Sequence, residues 1–562
     1  MSCTTSDKSI VSYIISHCYE QGVKYVVISP GSRNAPLILS FPASGKFHCL
    51  TIVDERSAAY FALGLARKTN TPVALICTSG TAVLNYGPAL AEAYYQQVPL
   101  IAITADRPPE LIDQADGQTI RQNNIFNNFI RYQCQLPVGK LSPAEVQLTN
   151  RLLNEAFRHA LGPVSGPVHI NVPFREPLYD TVKTESTVSP RVMPVRNDNP
   201  VDYSLVEELN SEISQYQKIL FLVGATRGES LLNEVVALLA EKGVVVVTET
   251  LSNLSGEKVF ENTDRLLEYF SSNVGTFCPD LLITLDVPVL SKRIKQLIRS
   301  CHPGAHWHFS NQDIIVDTYQ CLTRQIRGDA LPTLKAVSEK LKPFPFGYMN
   351  FWEKARLVTT EKHREFCAQV GWSDFKVFEM LSQSIPDGVE IHLGNSTPVR
   401  YAQLFEWKQK HIFEGNRGTS GIDGCVSTAA GAAFAGDRPV TLIVGDLSFL
   451  YDSNGLWHRY LPATFRVIVI NNGGGGIFRY IPGPSETKEL EPFFEAKGDY
   501  RCKGIAETFG LLYFTATNAD ELMNVLSDFW EDKGAPALLE IFTPGPRNGE
   551  ILRGYFNYLR SD

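Results

Sequence analysis

The chain carries no cysteine pair spaced Cys-x-x-Cys, no excess of positive charge and no apolar run long enough to span a bilayer, and each absence removes a class of function. Its 11 cysteines are scattered and odd in number, which fits reduced thiols in a cytoplasmic protein better than a disulfide framework or a zinc site. His306-Trp307-His308 is too sparse for a metal motif and reads as part of a strand. With 52 Lys and Arg against 60 Asp and Glu, the formal charge of −8 leaves no basic footprint for nucleic acid, although local cationic loops can still take anionic substrates. Met1 to Asp7 has no basic stretch ahead of an apolar one, so neither a secretory leader nor membrane insertion is expected. The Gly-x-x-x-x-Gly-Lys-Ser/Thr loop of P-loop nucleotidases is missing. So is a Gly-x-Gly-x-x-Gly after the strands that matter below. No repeat of solenoid period occurs.

What is present is an ordinary globular composition, 44% hydrophobic and 20% charged, on 562 residues. That is too long for one core and suggests about three domains. From residue 1 to about 185, β-branched runs lead repeatedly into polar loops and then helical patterns. Tyr25 to Ser29 precedes Pro30-Gly31-Ser32-Arg33, Val73 to Cys77 precedes Thr78-Ser79-Gly80, and Leu100 to Thr104 precedes Asp106-Arg107. Such alternation predicts a doubly wound α/β domain. Tyr179 to Val201, rich in proline, charge and hydroxyls, reads as a linker. A second unit, 186–345, carries the strand-like runs at 218–224, 243–248 and 281–286. Its Gly224 to Gly228 turn reads as scaffold. A third unit, 346–562, ends the chain.

Two clusters in the third unit carry the chemistry. Val440 to Val444 runs into Gly445-Asp446-Leu447-Ser448, and Val467 to Ile470 runs into Asn471-Asn472 and four glycines before Ile477-Phe478. In open α/β sheets ligands bind at the carboxyl ends of strands, so the two clusters can meet. An Asp carboxylate, an Asn amide oxygen and a glycine carbonyl from these clusters form a hard-oxygen set suited to Mg²⁺ carrying a diphosphate. The glycines permit close approach of backbone to phosphate. Either half alone reads as an ordinary loop; together they favour an anchor.

The pair resembles the signature of the thiamine diphosphate-dependent enzymes, Gly-Asp followed at an interval by Asn-Asn. That family implies an upstream glutamate in a separate pyrimidine-binding domain, and Thr51-Ile52-Val53-Asp54-Glu55 supplies one at the head of a helical pattern. By itself Glu55 reads as a helix N-terminal acid. By the resemblance it hydrogen-bonds the aminopyrimidine and drives proton removal from the thiazolium ring. The family order implies three doubly wound parallel-sheet domains: pyrimidine-binding, middle and diphosphate-binding. It also implies a homodimer or homotetramer with sites at subunit interfaces.

Cations then discriminate among such enzymes. Arg33, Arg107, Lys292, Arg293, Arg400 and Arg417 all fall in or near loops after predicted strands, and any one alone reads as a surface charge. Arginine suits bidentate carboxylate recognition. A charge pair at about 4 Å is worth roughly 4 kcal/mol at an effective dielectric near 20, before desolvation, so several cations suit several carboxylates. The loops at 29–37, 54–59, 78–82, 104–111, 394–396, 416–424, 445–448 and 471–478 closely resemble those of the 2-succinyl-5-enolpyruvyl-6-hydroxy-3-cyclohexene-1-carboxylate synthases of menaquinone biosynthesis. That resemblance implies Mg²⁺- or Mn²⁺-dependent decarboxylation of 2-oxoglutarate and 1,4-addition of the succinyl unit to isochorismate. It implies cofactor contacts at Pro30, Gly31, Glu55, Ser79, Gly80, Ile422, Gly445, Asp446, Leu447, Ser448, Asn472, Gly474, Gly475, Ile477 and Phe478. It assigns the hard-oxygen set on the metal to Asp446, Asn472 and the carbonyl of Gly474. Substrate contacts fall at Ser32, Arg33, Arg107, Gln118, Lys292, Arg293, Asn395, Ser396, Arg400, Arg417, Ile477 and Phe478. Ile422 reads equally as a core residue or as the wedge that keeps the cofactor bent. Gly117 and the run Gly473 to Gly476 depart from the usual pattern, and the latter admits a shift of the metal register by one residue. Another thiamine diphosphate-dependent 2-oxo acid decarboxylase, an acetohydroxyacid synthase with flavin in its middle domain, and a Mg²⁺-nucleotide regulatory protein stand as alternatives.

Overall fold

A computed structural model describes residues 4–183, 190–195, 200–271, 274–408 and 410–560. The β-branched runs form three six-stranded sheets, and all pairings within them are parallel. Parallel sheets have both faces covered, which is why these strands are continuous in apolar residues rather than alternating. A short antiparallel pair, β1 (Thr4–Ser6) with β8 (Thr181–Lys183), ties the two ends of the first unit together. Part of the stretch expected to be linker is therefore strand; 184–189 and 196–199 lie outside the described residues.

The first sheet holds β2 (Tyr25–Ile28), β3 (His48–Thr51), β4 (Val73–Cys77), β5 (Leu100–Asp106), β6 (Tyr132–Gln135) and β7 (Val168–Pro173), in spatial order 3-2-4-5-7-6. The middle sheet holds β9 (Ile219–Val223), β10 (Val245–Thr248), β11 (Val259–Phe260), β12 (Leu281–Leu285), β13 (Ala305–Phe309) and β14 (Arg324–Ile326), in order 11-10-9-12-13-14. The third holds β15 (Glu390–Leu393), β16 (Ile412–Glu414), β17 (Val440–Gly445), β18 (Arg466–Asn471), β19 (Leu512–Ala516) and β20 (Ala537–Phe542), in order 16-15-17-18-20-19. Numbered within each sheet, the first and third share one winding and the middle sheet has another. The crevices where strand order reverses lie between β2 and β4, between β9 and β12, and between β15 and β17.

The first and third sheets pack together through helices Glu55–Thr69 and Cys425–Ala435, whose apolar faces join one core running from Val27 and Leu75 to Leu442 and Val467. The helices touch backbone to backbone. A side chain at Gly64 would strike the carbonyl of Thr428, and one at Gly431 the carbonyl of Phe61. Gly64→Ala or Gly431→Ala is therefore expected to cost about 1–3 kcal/mol, the usual penalty of overpacking, read as a lower midpoint of thermal unfolding.

The middle sheet has its own cores on both faces. Helix Gly347–Gln369 begins in one of them, with Tyr348 and Trp352 against Phe260, Phe270 and Phe277, and reaches the third sheet's core at Cys367. At the middle crevice Gly224 leaves no room for a side chain against the Pro288 carbonyl, and Ala225 N–H donates to that oxygen at 2.8 Å, beside a cavity of about 510 Å³ lined by Arg227, Asp286 and Ser310. His306 and His308 lie on β13, as expected, and both bond the Thr284 hydroxyl. The ten cysteines among the described residues are all free thiols, none joined in a disulfide. No described helix is long and apolar enough to cross a membrane.

Candidate active site

The third sheet's crevice gathers the motif residues because β17 and β18 end beside one another. Asp446 opens the helix Asp446–Tyr451 and is 2% exposed. Its Oδ2 accepts the N–H groups of Gly473 and Gly474, each at 2.9 Å, and its Oδ1 accepts the N–H of Leu447 at 2.7 Å. The glycine run is thus wrapped onto the carboxylate. Gly473 and Gly474 have φ of +81° and +143°, and a side chain at Gly474 would lie 2.5 Å from the carbonyl of Glu495. Only glycine takes that path without strain. Burial raises the Asp446 carboxyl to about 6, offset by the three N–H donors, with nearby Asp374 adding to the rise. Gly475 donates to the Glu495 carbonyl at 2.7 Å, while Ile477 and Phe478 follow in a half-buried turn. The Ser448 hydroxyl donates to the carbonyl of Ile422 at 2.5 Å; Ile422 itself is 40% exposed and belongs to no core cluster.

These donors fit a hydrated divalent cation. Among the described residues Asn472 Oδ1 accepts no hydrogen bond, the Gly474 carbonyl accepts only one, from Gly476, and a carboxylate has about four acceptor sites of which Asp446 uses three. One carboxylate with two neutral oxygens leaves room for water and phosphate, which Mg²⁺ retains. No cluster of three or more His, Cys, Asp or Glu able to hold a metal occurs among the described residues. A metal here depends on amide and carbonyl oxygens.

Glu55 is the first residue of helix Glu55–Thr69, which Asp54 caps by accepting the N–H of Ser57 at 3.0 Å. β3 ends at Thr51, so the glutamate follows a short loop rather than the strand itself. Half-burial raises its carboxyl above the ordinary value, opposed by its own backbone N–H and by Asn85. Its flanks touch the third unit: Asn454 Nδ2 donates to Asp54 at 2.8 Å and Arg56 donates to the carbonyl of Tyr451 at 2.6 Å. Among the described residues no hydrogen bond or ion pair joins Glu55 to the Asp446 loop. Around it Val53, Leu84 and Tyr451 are 45%, 50% and 54% exposed.

The cations fall into two groups. At the first sheet's crevice Arg33 is buried, donates to the carbonyl of Phe174 at 3.1 Å and shares Glu176 with Arg107 at 3.0 and 4.0 Å. Burial and the neighbouring Arg107 both lower the Arg33 guanidinium. Glu176, largely exposed, shows how the pair takes one carboxylate. Pro30, Gly31 and Ser32 stand at the same rim. Ser79 donates to the Gln118 carbonyl at 2.9 Å, and Gly80 N–H to the side chain of Gln122 at 3.0 Å. Gly117 has open space around it, and its carbonyl accepts Arg107 at 2.9 Å.

The second group surrounds the third crevice. Arg417 donates to Asn395 Oδ1, and Asn395 Nδ2 donates to the carbonyls of Asn416 and Gly421. Arg400, on helix Thr397–Ala402 after Ser396, lines a small cavity with Asp374, Ile477 and Tyr480. Lys292 is exposed at the head of helix Lys292–Cys301. Arg293 is instead paired with buried Glu268 and lies 4.0 Å over the Phe556 ring, so it reaches a substrate only by exchanging that partner.

Several supporting residues escaped sequence reasoning. Buried Glu92 accepts the N–H groups of Gly418 and Thr419 at 2.6 and 2.7 Å and so holds the Arg417 loop. Buried Glu249 accepts Leu290 and Ser291 at 2.6 and 2.7 Å, setting the loop before Lys292, and burial pushes its carboxyl up to about 7. Lys295 lies close to both Glu249 and Arg417. The available signal was a lone carboxylate inside an apolar helix for Glu92 and at a strand's end for Glu249.

Comparisons with known proteins identify the family. Residues 8–125 match the family model "Thiamine pyrophosphate enzyme, N-terminal TPP binding domain", and residues 394–541 match "Thiamine pyrophosphate enzyme, C-terminal TPP binding domain". A 2-succinyl-5-enolpyruvyl-6-hydroxy-3-cyclohexene-1-carboxylate synthase of Christiangramia forsetii is 40% identical over 98% of this chain and 98% of its own length. Proteins of the same name from Porphyromonas gingivalis (39% identical, 99% and 98% covered) and Flavobacterium psychrophilum (40%, 97% and 98%) are similar over the same extent. The chain therefore belongs to the 2-succinyl-5-enolpyruvyl-6-hydroxy-3-cyclohexene-1-carboxylate synthase family of thiamine diphosphate-dependent enzymes.

Proposed function

We propose that the chain decarboxylates 2-oxoglutarate with thiamine diphosphate and Mg²⁺ and adds the succinyl unit 1,4 to isochorismate, giving the product for which its relatives are named. The observation that carries this reading is the pairing of one buried oxygen-donor loop with two separate arginine groups, a layout for two substrates bearing several carboxylates. When bound, the cofactor supplies the electron sink for the carboxylate lost as CO₂.

The rest is done by the chain. Asp446, Asn472 and the Gly474 carbonyl would hold Mg²⁺, with Mn²⁺ as a substitute. Gly445, Leu447, Ser448 and Gly475 would border the diphosphate. Ile422, exposed where a core isoleucine would be covered, would pack against the cofactor. Glu55 would hold and give up a proton toward the aminopyrimidine, which Pro30, Gly31, Ser79 and Gly80 would border. Ser32, Arg33, Arg107 and Gln118 take carboxylate and hydroxyl groups from one side. Lys292, Arg293, Asn395, Ser396, Arg400 and Arg417 take them from the other, and Ile477 and Phe478 wall the pocket. Holding charges in fixed positions in a dry site orients the two substrates without reorganisation at the moment of reaction. The exposed apolar residues around Glu55 favour closure by a second copy of the chain, as dimer or tetramer.

Purified protein supplied with thiamine diphosphate, Mg²⁺, 2-oxoglutarate and isochorismate is expected to release CO₂ and consume isochorismate, and to stop when the metal is chelated. Failure of cofactor-loaded protein to consume isochorismate defeats the assignment. Turnover of pyruvate instead, or flavin absorbance in the purified material, would favour the decarboxylase or acetohydroxyacid synthase reading.

A further inference from the structure

An asparagine amide presents either an oxygen or N–H groups to whatever it faces, and only the oxygen can bind a hard cation. Something must therefore set the orientation of Asn472. We propose that Asp374 does so, acting as a positioning residue that aims the Asn472 oxygen at the divalent ion; the inference rests on the metal site proposed above.

Asp374 is the first residue of helix Asp374–Ser384 and is 1% exposed. Its Oδ2 accepts Asn472 Nδ2 at 2.9 Å and its Oδ1 accepts the Thr543 hydroxyl at 2.5 Å. Its backbone N–H donates to Asn548 Oδ1 at 2.9 Å, and Asn548 Nδ2 donates to Thr543 at 3.2 Å. A carboxylate has no proton to give. Turning the Asn472 amide over would set its oxygen against the Asp374 oxygen, two acceptors at hydrogen-bond distance in a dry setting, where an unpaired polar group is most costly. In the observed orientation Nδ2 is spent on Asp374, and no hydrogen bond to Oδ1 is found among the described residues.

The Asn472 backbone cannot slide to compensate. Gly545 packs so closely on its carbonyl that any side chain there would collide, and Thr543 N–H donates to the neighbouring Asn471 carbonyl at 3.1 Å. Nor is the Asp374 side chain needed to start its helix. Ser373 does that, accepting the N–H of Lys376 at 3.3 Å. What the buried carboxylate holds is Asn472 and, through Thr543, the strand end beside it. Partners that orient a metal's ligands typically govern affinity by about 10–100-fold.

The test is a double-mutant cycle on Mn²⁺ affinity in the presence of thiamine diphosphate, read from the electron paramagnetic resonance signal of free Mn²⁺. Asn472→Ala alone is expected to weaken Mn²⁺ binding. Asp374→Ala is expected to weaken it by about tenfold or more when Asn472 is present, and to have little effect in the Asn472→Ala background. Equal losses in both backgrounds would mean a general structural role and overturn the proposal while leaving the metal site intact. Unchanged affinity in Asn472→Ala would overturn both. Should Asp374→Ala not fold, Asp374→Asn serves in the same cycle. It keeps one acceptor oxygen, so it should show a smaller loss that again vanishes without Asn472; a loss of equal size in both backgrounds overturns the proposal.

Discussion

Glu55→Gln is expected to bind cofactor and both substrates and to lose turnover by about two to four orders of magnitude, the range a positioned proton-transfer group supplies. The substitution is isosteric. It leaves the Asp54 cap on Ser57 untouched and places no bulk against Asn85, so the thermal midpoint should barely move. What it removes is a carboxyl whose half-burial already holds its proton more tightly than an ordinary glutamate does. Two measurements check it: CO₂ release with saturating 2-oxoglutarate and isochorismate, and exchange of the cofactor's thiazolium proton for deuterium followed by NMR. Both should slow together. Turnover near the wild-type rate would remove Glu55 from the chemistry, and a protein that merely bound a nucleotide through the Asp446 loop would show no effect at all.

Mixing two inactive variants should restore activity. If each site takes Glu55 from one copy and the Asp446 loop from another, a dimer of one Glu55→Gln chain and one Asp446→Ala chain holds one doubly damaged site and one intact site. Random reassociation then returns roughly a quarter of the wild-type specific activity, since half the dimers are mixed and half their sites are whole. The structure motivates the experiment: the Glu55 and Asp446 side chains share no hydrogen bond or ion pair among the described residues, while Val53, Leu84, Ile422 and Tyr451 stay exposed in the single chain. The readout is activity after co-refolding or co-expression with distinct affinity tags, compared with each variant alone. No recovery in verified mixed dimers would mean that one chain contains the whole site.

The elements nearest the chemistry were the most legible. β17 and β18 announce themselves as β-branched runs ending in Gly445-Asp446 and Asn471-Asn472, because a strand buried on both faces must be apolar until the residue where it opens to a ligand. Arg33 and Arg107 were legible for the same reason, each standing just past a strand. Arg293 was not: nothing local tells that Glu268, on another helix, takes its guanidinium. Short strands such as β11, β14 and β16 have too few residues for a period, and β8 hides in a proline-rich stretch because its partner is the far N-terminus.

The amino-acid order by itself determined the strand–loop–helix rhythm and the oxygen-donor loop, since each is written in adjacent residues, whereas Glu55 stood out from an ordinary helix N-terminal acid only through the family resemblance. Three things came only from tertiary packing. The first and third sheets share one winding although no repeat is visible in the residues that build them. They meet across Gly64 and Gly431, two glycines that look like poor helix formers until a second helix lies against them. Buried Glu92, Glu249 and Asp374 hold the loops that carry the candidate site. All three depend on groups far apart in the chain finding one another, and a buried carboxylate or a missing side chain has meaning only once its partner is in place.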